Sequence, residues 1–228
     1  MISVVVPCYN EEAVLPELRE RLTAAAEAWD DTYEIIAVDD GSRDRTFELL
    51  AEYHASDPRW KAIRFARNFG HQTAVSAGIC HAAGDCVIVI DADLQDPPEQ
   101  LHRFIAKWRE GYEVVYGVRR KRKEGVLKRA CYKMFYRLLG RCAQIEIPHD
   151  AGDFCAMDRA VVDLLNAMPE RNRFVRGLRS WIGFRQVGLE YERDARAAGK
   201  TKYTPAKLVR LALDGLVSFS AAPLRLAT

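Results

Sequence analysis

Val87-Ile88-Val89-Ile90-Asp91-Ala92-Asp93-Leu94-Gln95-Asp96-Pro97-Pro98-Glu99 decides the fold of this chain. Its continuous apolar start reads as a strand buried on both faces. It stops at two carboxylates one residue apart, followed by an amide, a third carboxylate and two prolines. In an open α/β sheet, ligands bind beyond the carboxyl ends of the strands, so this acidic cluster falls where a substrate should sit. Asp91 and Asp93 are suited to grip a hard divalent cation, with Gln95 adding a neutral oxygen, and such cations bridge to phosphates. The plainer reading is a strand-end turn in which Asp96 caps a helix beginning at Pro97.

Outward from this strand, the first half of the chain alternates β and α patterns. Ile2 to Val6 is an apolar, β-branched run. Asn10 is expected to cap a helix carrying Val14, Leu18, Leu22, Ala25 and Trp29, with Glu11 and Glu12 in its first turn. Tyr33 to Val38 reads as a strand, the segment through Phe47, Leu50 and Tyr53 as a helix, and Trp60 to Phe65 as a strand. A helix from Gln72 to Ala83, the strand before Asp91, a helix from Pro97 to Trp108 and a strand from Glu113 to Val118 follow. This order predicts an α/β fold, a mainly parallel sheet with helices on both faces.

The second half is less regular. Helices are expected at Lys128 to Leu139, Ala160 to Met168 and Phe174 to Trp181, a short strand-like piece at Gly152-Asp153-Phe154, and a strand from Arg185 to Glu192. Thr204-Pro205 supplies an N-cap and a first-turn proline for a last helix carrying Leu208, Leu211, Leu216 and Phe219.

Composition narrows the function classes. The chain has 228 residues, 49% of them hydrophobic, enough for one real core with room for an appendage. A net charge of +2 does not argue for bulk nucleic-acid binding, and no aromatics interleave the basic run Arg119-Arg120-Lys121-Arg122-Lys123. The six cysteines show no Cys-x-x-Cys spacing and read as reduced core thiols of a cytosolic protein. The chain enters a strand at once, so no signal peptide is expected, and no run of eighteen apolar residues offers a membrane span.

Two further strand ends carry polar groups: Val6-Pro7-Cys8-Tyr9-Asn10-Glu11-Glu12 and Val38-Asp39-Asp40-Gly41-Ser42. An aspartate there can accept from a ribose hydroxyl or a base N–H, and Tyr9 can stack on a base. Asp39 and Asp40 read equally as a turn with a local cap. Three such ends on one sheet favour a nucleotide site. No Gly-x-Gly-x-x-Gly follows a strand and no Walker A sequence occurs, which excludes the usual dinucleotide and P-loop cradles. A diphosphate would then need another neutralising group, and a cation on Asp91 and Asp93 supplies one.

With Arg67-Asn68-Phe69-Gly70, Gly152-Asp153-Phe154 and Arg196-Ala197-Ala198-Gly199-Lys200-Thr201-Lys202-Tyr203, these motifs form an ordered set along nearly the whole chain. The chain resembles inverting family 2 glycosyltransferases of the GT-A fold. More narrowly it resembles the polyisoprenyl-phosphate group, which holds dolichol-phosphate mannose synthases and bacterial undecaprenyl-phosphate glucosyltransferases. The resemblance implies a nucleotide-binding set of Pro7, Tyr9, Asn10, Glu11, Asp39, Asp40, Arg67, Asp91 and Ala92. It implies Mg²⁺ or Mn²⁺ on Asp91, Asp93 and Gln95, with Asp93 and Asp153 at the reacting centre. Arg119, Arg129, Arg196 and Lys202 would contact donor or acceptor phosphates. The implied partners are a nucleotide sugar, UDP-glucose favoured over GDP-mannose, a polyisoprenyl phosphate, and the anionic cytoplasmic surface of a membrane, with a homo-oligomer left open. A glycosyltransferase with a soluble or polysaccharide acceptor is the alternative, but the Gln-x-x-Arg-Trp motif of processive synthases is missing.

The expected division is a catalytic domain over 1–203 and an amphipathic juxtamembrane helix over 204–228, leading toward transmembrane segments that this sequence does not include. The helices at 128–139 and 205–219 pair apolar faces with Lys and Arg, as interfacial helices do.

Overall fold

The computed structural model describes residues 1–119, 151–170 and 173–193. Seven strands form one sheet in the order β3-β2-β1-β4-β6-β5-β7. Strand β1 (Ile2–Cys8) lies between β2 (Tyr33–Asp39) and β4 (Cys86–Val89), parallel to both, and β3 (Trp60–Arg64) adds parallel to β2. Strand β6 (Ala151–Asp158) runs antiparallel between β4 and β5 (Val114–Arg119), and β7 (Gln186–Tyr191) closes the edge parallel to β5. The expectation of a mainly parallel sheet therefore holds, with β6 as its one reversed strand among the described residues.

The central strands read as unbroken apolar runs because helices cover both faces. Ile2, Val4, Ile35, Ala37, Ile88 and Ile90 belong to one core, packed under α1 (Leu15–Glu27), α2 (Thr46–Ser56) and α4 (Leu101–Arg109). Val5, Ile36, Val38, Val87 and Val89 belong to the other, under α3 (His71–His81), α5 (Arg159–Ala167) and α6 (Val175–Trp181). The alternation of neighbours along each strand divides the two cores. Helix α3 lies close on β1: a Cβ at Gly78 would sit 2.2 Å from Val5 Cγ1.

Ser3 and Glu34 break the apolar pattern, yet both are buried. Glu34 Oε1 accepts from Ser3 Oγ at 2.5 Å and from the Ala83 N–H at 2.8 Å, and its other oxygen accepts from Lys61 Nζ at 2.5 Å. Burial works against the Glu34 carboxylate, but these donors hold its pKa below the ordinary value.

Several local expectations are corrected. Asn10 does not cap α1. It takes a left-handed conformation (φ 51°), its N–H donates to Ser42 Oγ, and its Oδ1 accepts from the Arg43 N–H. The helix starts at Leu15, Val14 stands at the cap position without a side-chain hydrogen bond, and Glu17 is the acid of its first turn. Nor does Asp96 cap a helix at Pro97: Pro97 is extended, a 3-10 turn spans Pro98–Gln100, and α4 follows. The short piece at Gly152-Asp153-Phe154 is the start of a full eight-residue strand. Asp158 supplies a cap that the sequence reading missed, accepting from the Ala160 N–H at 2.9 Å. Cys8, Cys86 and Cys155 are buried thiols outside any disulfide, as expected, whereas Cys80 is exposed. The helices expected at 128–139 and 205–219, and the boundary at 203, lie outside the described residues.

Candidate active site

Because β1, β2 and β4 are parallel neighbours, their carboxyl ends open on one rim. The β4–β6 register then adds a fourth chain segment. Its last pair is Val89 with Cys155, and two residues further along each strand stand Asp91 and Asp153. The antiparallel insertion of β6 thus brings together two acids 62 positions apart in the chain.

Past β4 the burial alternates. Ala92, Leu94 and Asp96 are buried, while Asp91, Asp93 and Gln95 are partly accessible. Ala92 and Leu94 join the core under α4, and Leu94 takes a left-handed backbone (φ 57°). The alternation leaves the three proposed metal ligands on the accessible side. Asp93 Oδ1 accepts from the Gln95 N–H at 3.2 Å, which folds the turn on itself. Burial, with the nearby charges of Asp96, Asp153 and Asp93 adding to it and His71 opposing it, pushes the Asp91 carboxyl up to about 6.

Asp153 is held from both sides. Its Oδ2 lies 3.3 Å from His71 Nε2 and accepts from Gln72 Nε2 at 3.2 Å. Its Oδ1 lies 3.5 Å from Arg176 Nη2. Although burial opposes the charge, Arg176, His71 and Arg179 hold this carboxyl well below the usual carboxylate range. His71 Nε2 is also 3.7 Å from Asp91 Oδ1. Burial lowers the imidazole pKa, but the hydrogen bond to Asp153 and the charges of Asp91 and Asp153 outweigh it and raise it to about 9. At neutral pH the site therefore holds an imidazolium between two acids.

The third acid, Asp96, is 1% exposed. Its Oδ1 accepts from Tyr191 Oη at 2.5 Å and from Arg193 Nε at 3.2 Å, and its Oδ2 has no hydrogen-bond partner. Arg119 stands in register with Tyr191 at the end of β5. Burial disfavours its charge, but Asp96, Tyr191 and Asp91 raise its pKa above the ordinary value. Its Nε is buried without a hydrogen-bond partner, so this cation sits beside the acidic rim rather than in a solvated basic run.

On the β1–β2 side, Asp39 is fully buried. Its Oδ1 accepts from the Ser42 N–H at 3.0 Å, while Oδ2 has no hydrogen bond and lies 3.9 Å from Arg64 Nε. A cavity of about 390 Å³ lined by Gly41, Ser42, Arg64, Phe65 and Ala66 lies alongside. The Arg67 guanidinium covers the Phe69 ring at 4.0 Å. Pro7 is paired with Val38 inside the sheet. Tyr9, Asn10 and Glu11 follow at the rim, with the Glu11 N–H donating to Thr46 Oγ1 at 2.8 Å. Asp40 is engaged by the loop before α3. Its oxygens accept from the Phe69 and Gly70 N–H groups at 2.7 and 2.9 Å and from Asn68 Nδ2 at 2.8 Å. It braces the loop that leads into α3. Arg129, Arg196 and Lys202 lie outside the described residues.

The donor set of Asp91, Asp93 and Gln95 is all oxygen, and the Asp91 carboxyl, raised by burial first and by the neighbouring Asp96, Asp153 and Asp93 after it, is a group whose charge a cation would favour. That chemistry fits a hard divalent ion. Among the described residues no three His, Cys, Asp or Glu side chains converge as a complete metal cage. Two carboxylates with a neutral amide suit an ion that completes its shell with water and substrate oxygens.

The sequence reading missed His71, Gln72, Arg176 and Arg179. Their signals were present: a polar pair directly after Gly70 at a helix start, and two arginines three apart on one short helix. Arg179 is 1% exposed, with Nε and Nη2 unpaired, and lies 5.7 Å from the centre of the Tyr116 ring.

Comparisons of sequence and fold relate the chain to known glycosyltransferases. The model of the family described as glycosyl transferase family 2 covers residues 3–165. An uncharacterized glycosyltransferase of Bacillus subtilis, YkcC, is 52% identical over 227 residues, 99% of this chain and 70% of its own length. The prophage bactoprenol glucosyl transferase homolog of Escherichia coli is 41% identical over 228 residues, 100% of this chain and 74% of its own. Among solved structures, glucosyl-3-phosphoglycerate synthase of Mycobacterium tuberculosis superposes with a TM-score of 0.61 at 19% identity, covering 97% of this chain and 80% of that one. A mannosyltransferase of Pyrobaculum calidifontis in complex with GDP-Man and Mn²⁺ gives 0.59 at 21% identity, covering 83% and 54%. These superpositions show a shared GT-A fold.

Proposed function

The chain belongs to glycosyl transferase family 2, and from that premise we propose that this glycosyltransferase moves a sugar from a nucleotide sugar, UDP-glucose first, to a polyprenyl phosphate. The carrying observation is Asp91 facing Asp153 at the rim of the parallel strands, in a chain 41% identical throughout to a bactoprenol glucosyl transferase homolog.

The nucleoside lies on the β1–β2 side of the rim. Oδ2 of Asp39, which makes no hydrogen bond within the protein, accepts from the ribose or base, and Tyr9 and Arg67 flank it. Asp91, Asp93 and Gln95 would hold Mg²⁺ or Mn²⁺, and the ion would supply positive charge against the negative charge developing on the departing diphosphate. Arg119 supplies a cation on the far side of the acidic turn, and Arg129, Arg196 and Lys202 add phosphate contacts.

The acceptor needs little activation. A phosphomonoester has a second pKa near ~6, so it is largely a dianion at neutral pH and already nucleophilic. Its oxygen attacks the anomeric carbon opposite the leaving diphosphate, which inverts that centre. Asp153 is too strongly held as a carboxylate to shuttle a proton at neutral pH. It serves instead as a fixed acceptor that orients sugar hydroxyls, with the His71 imidazolium balancing its charge.

The acceptor lipid places this chemistry at a membrane, with the cytoplasmic face of the bacterial inner membrane the proposed location. Among the described residues no helix is long and apolar enough to cross a bilayer. The basic sequence from Arg120 to Lys123 suits an anionic surface.

The test is a panel of nucleotide sugars with undecaprenyl phosphate and Mg²⁺ or Mn²⁺, with products identified by mass. A hexose added to the lipid from UDP-glucose is expected. Turnover of GDP-mannose alone would move the donor assignment, and transfer only to soluble or polysaccharide acceptors would overturn the acceptor.

A further inference from the structure

Gln72 lies one residue inside α3, and its side-chain amide spans two other elements. Nε2 donates to Asp153 Oδ2 at 3.2 Å on β6, and Oε1 accepts from the Val175 N–H at 2.9 Å, the first residue of α6. The amide can face only one way. Turned over, its oxygen would meet a carboxylate and its NH₂ would meet an N–H, losing both bonds. The Val175 N–H is one of the helix-start donors that no residue within α6 can satisfy.

The consequence reaches Asp153 twice. Gln72 binds Oδ2 directly, and by fixing the start of α6 it fixes the next residue, Arg176, whose Nη2 lies 3.5 Å from Oδ1. Both carboxylate oxygens are thereby tied to elements that the same amide joins. We propose that Gln72 is a positioning residue for the sugar transfer: it sets the rotation of the Asp153 carboxylate and the spacing of α3 and α6 about the reacting centre. This rests on the proposed function, since a fixed carboxylate matters only if a sugar meets it.

Two near-isosteric variants separate the two bonds. Gln72→Met keeps the packing and loses both. Gln72→Glu keeps an acceptor for the Val175 N–H but replaces the donor to Asp153 with a like charge. A misplacement of this kind can cost up to ~10²-fold in rate without touching ground-state binding. Both variants should lower kcat about tenfold to a hundredfold, with KM for the nucleotide sugar within about twofold of the parent. In an Asp153→Asn background, Gln72→Met should change kcat less than about twofold, because the group it positions is already altered. Thermal unfolding of each variant confirms a folded chain before kinetics are compared.

Gln72→Glu at parental kcat would reduce Gln72 to a brace for α6 and overturn the proposal. So would effects of Gln72→Met and Asp153→Asn that simply multiply. A parent chain that transfers no sugar to polyprenyl phosphate overturns the functional reading and the proposal with it, whereas an active parent beside an equally active Gln72→Met overturns the proposal alone.

Discussion

Asp91 and Asp153 face each other across the β4–β6 pair, with one imidazole nitrogen of His71 3.7 Å from the first and 3.3 Å from the second. The cation offsets two carboxylates that would otherwise repel each other at the rim. Its place at the start of α3 depends on Asp40, which holds the Phe69 and Gly70 N–H groups just before it. The second aspartate of Val38-Asp39-Asp40-Gly41-Ser42 thus supports the site through a loop.

This relationship predicts a pH dependence. The folded His71 pKa is raised from 6.5 to about 9. A raised pKa means that the folded state binds the proton more tightly, so the added stability is full below about 6.5 and lost as pH rises through about 9. Asp91, raised to about 6, acts in the same sense but at lower pH. Thermal unfolding in chelator should therefore show a midpoint that falls between pH 6.5 and 9, and His71→Gln should flatten that slope. A parental slope in the variant would remove His71 as its source.

Metal dependence is the second expectation. Asp93 has its carboxylate on the accessible side of the turn, beside Asp91. Asp93→Asn keeps the shape and removes one charge from the proposed cation site. Turnover should fall by at least ~10²-fold, in line with loss of electrostatic stabilisation at the leaving group. Binding of the nucleoside diphosphate in the presence of Mn²⁺, measured by calorimetry, should weaken as well. Full activity in excess EDTA would remove the metal from the mechanism.

Gly41 gives a prediction on the proposed nucleoside side. It has φ +67°, and a Cβ there would lie 2.4 Å from the Arg67 carbonyl carbon. Gly41→Ala must therefore both strain its own backbone and push back the Arg67–Gly70 loop. The left-handed conformation alone costs ~1–3 kcal/mol for a residue with a side chain. A lower melting temperature together with a raised KM for the donor is expected. A variant with parental melting temperature and KM would show that the loop yields freely and does not border the donor.

Much of this was legible in the chain. The buried runs, the β–α alternation and the three polar strand ends follow from patterning, because central parallel strands must be apolar on both faces. The reversal of β6 was not legible. Gly152-Asp153-Phe154 reads as a fragment because nothing local distinguishes an antiparallel partner from a parallel one, and pairing is a long-range choice. The neighbours of Asp153 were hidden for the same reason. His71, Gln72 and Arg176 become a set only once β6 lies beside β4 and α6 packs near α3. The capping expectations at Asn10 and Asp96 failed because a local rule met a stronger tertiary partner, the 42–43 turn for Asn10 and Tyr191 with Arg193 for Asp96.

Asp96 supplies the last prediction, since its two readings differ in what they couple. As a helix cap it would interact with α4 alone, and its loss would cost ~1 kcal/mol. In the structure it is a fully buried carboxylate held by Tyr191 Oη and Arg193 Nε. A hydrogen bond to a buried charged group is worth ~1.5–3 kcal/mol, and removing the donor leaves the charge behind. Tyr191→Phe should therefore destabilise by an amount in that range although a phenyl ring fills the same space. It should also reduce turnover, because Asp96 closes the turn that carries Asp91, Asp93 and Gln95. Combined with Asp96→Asn, the two losses should fall short of their sum, since both act on the same interaction, one by removing its donor and the other by removing the charge of its acceptor. Urea unfolding of the two single variants and the double variant measures the coupling. Losses that add within about 0.5 kcal/mol would mean that Tyr191 and Asp96 act independently and that the acidic turn is held by its own backbone.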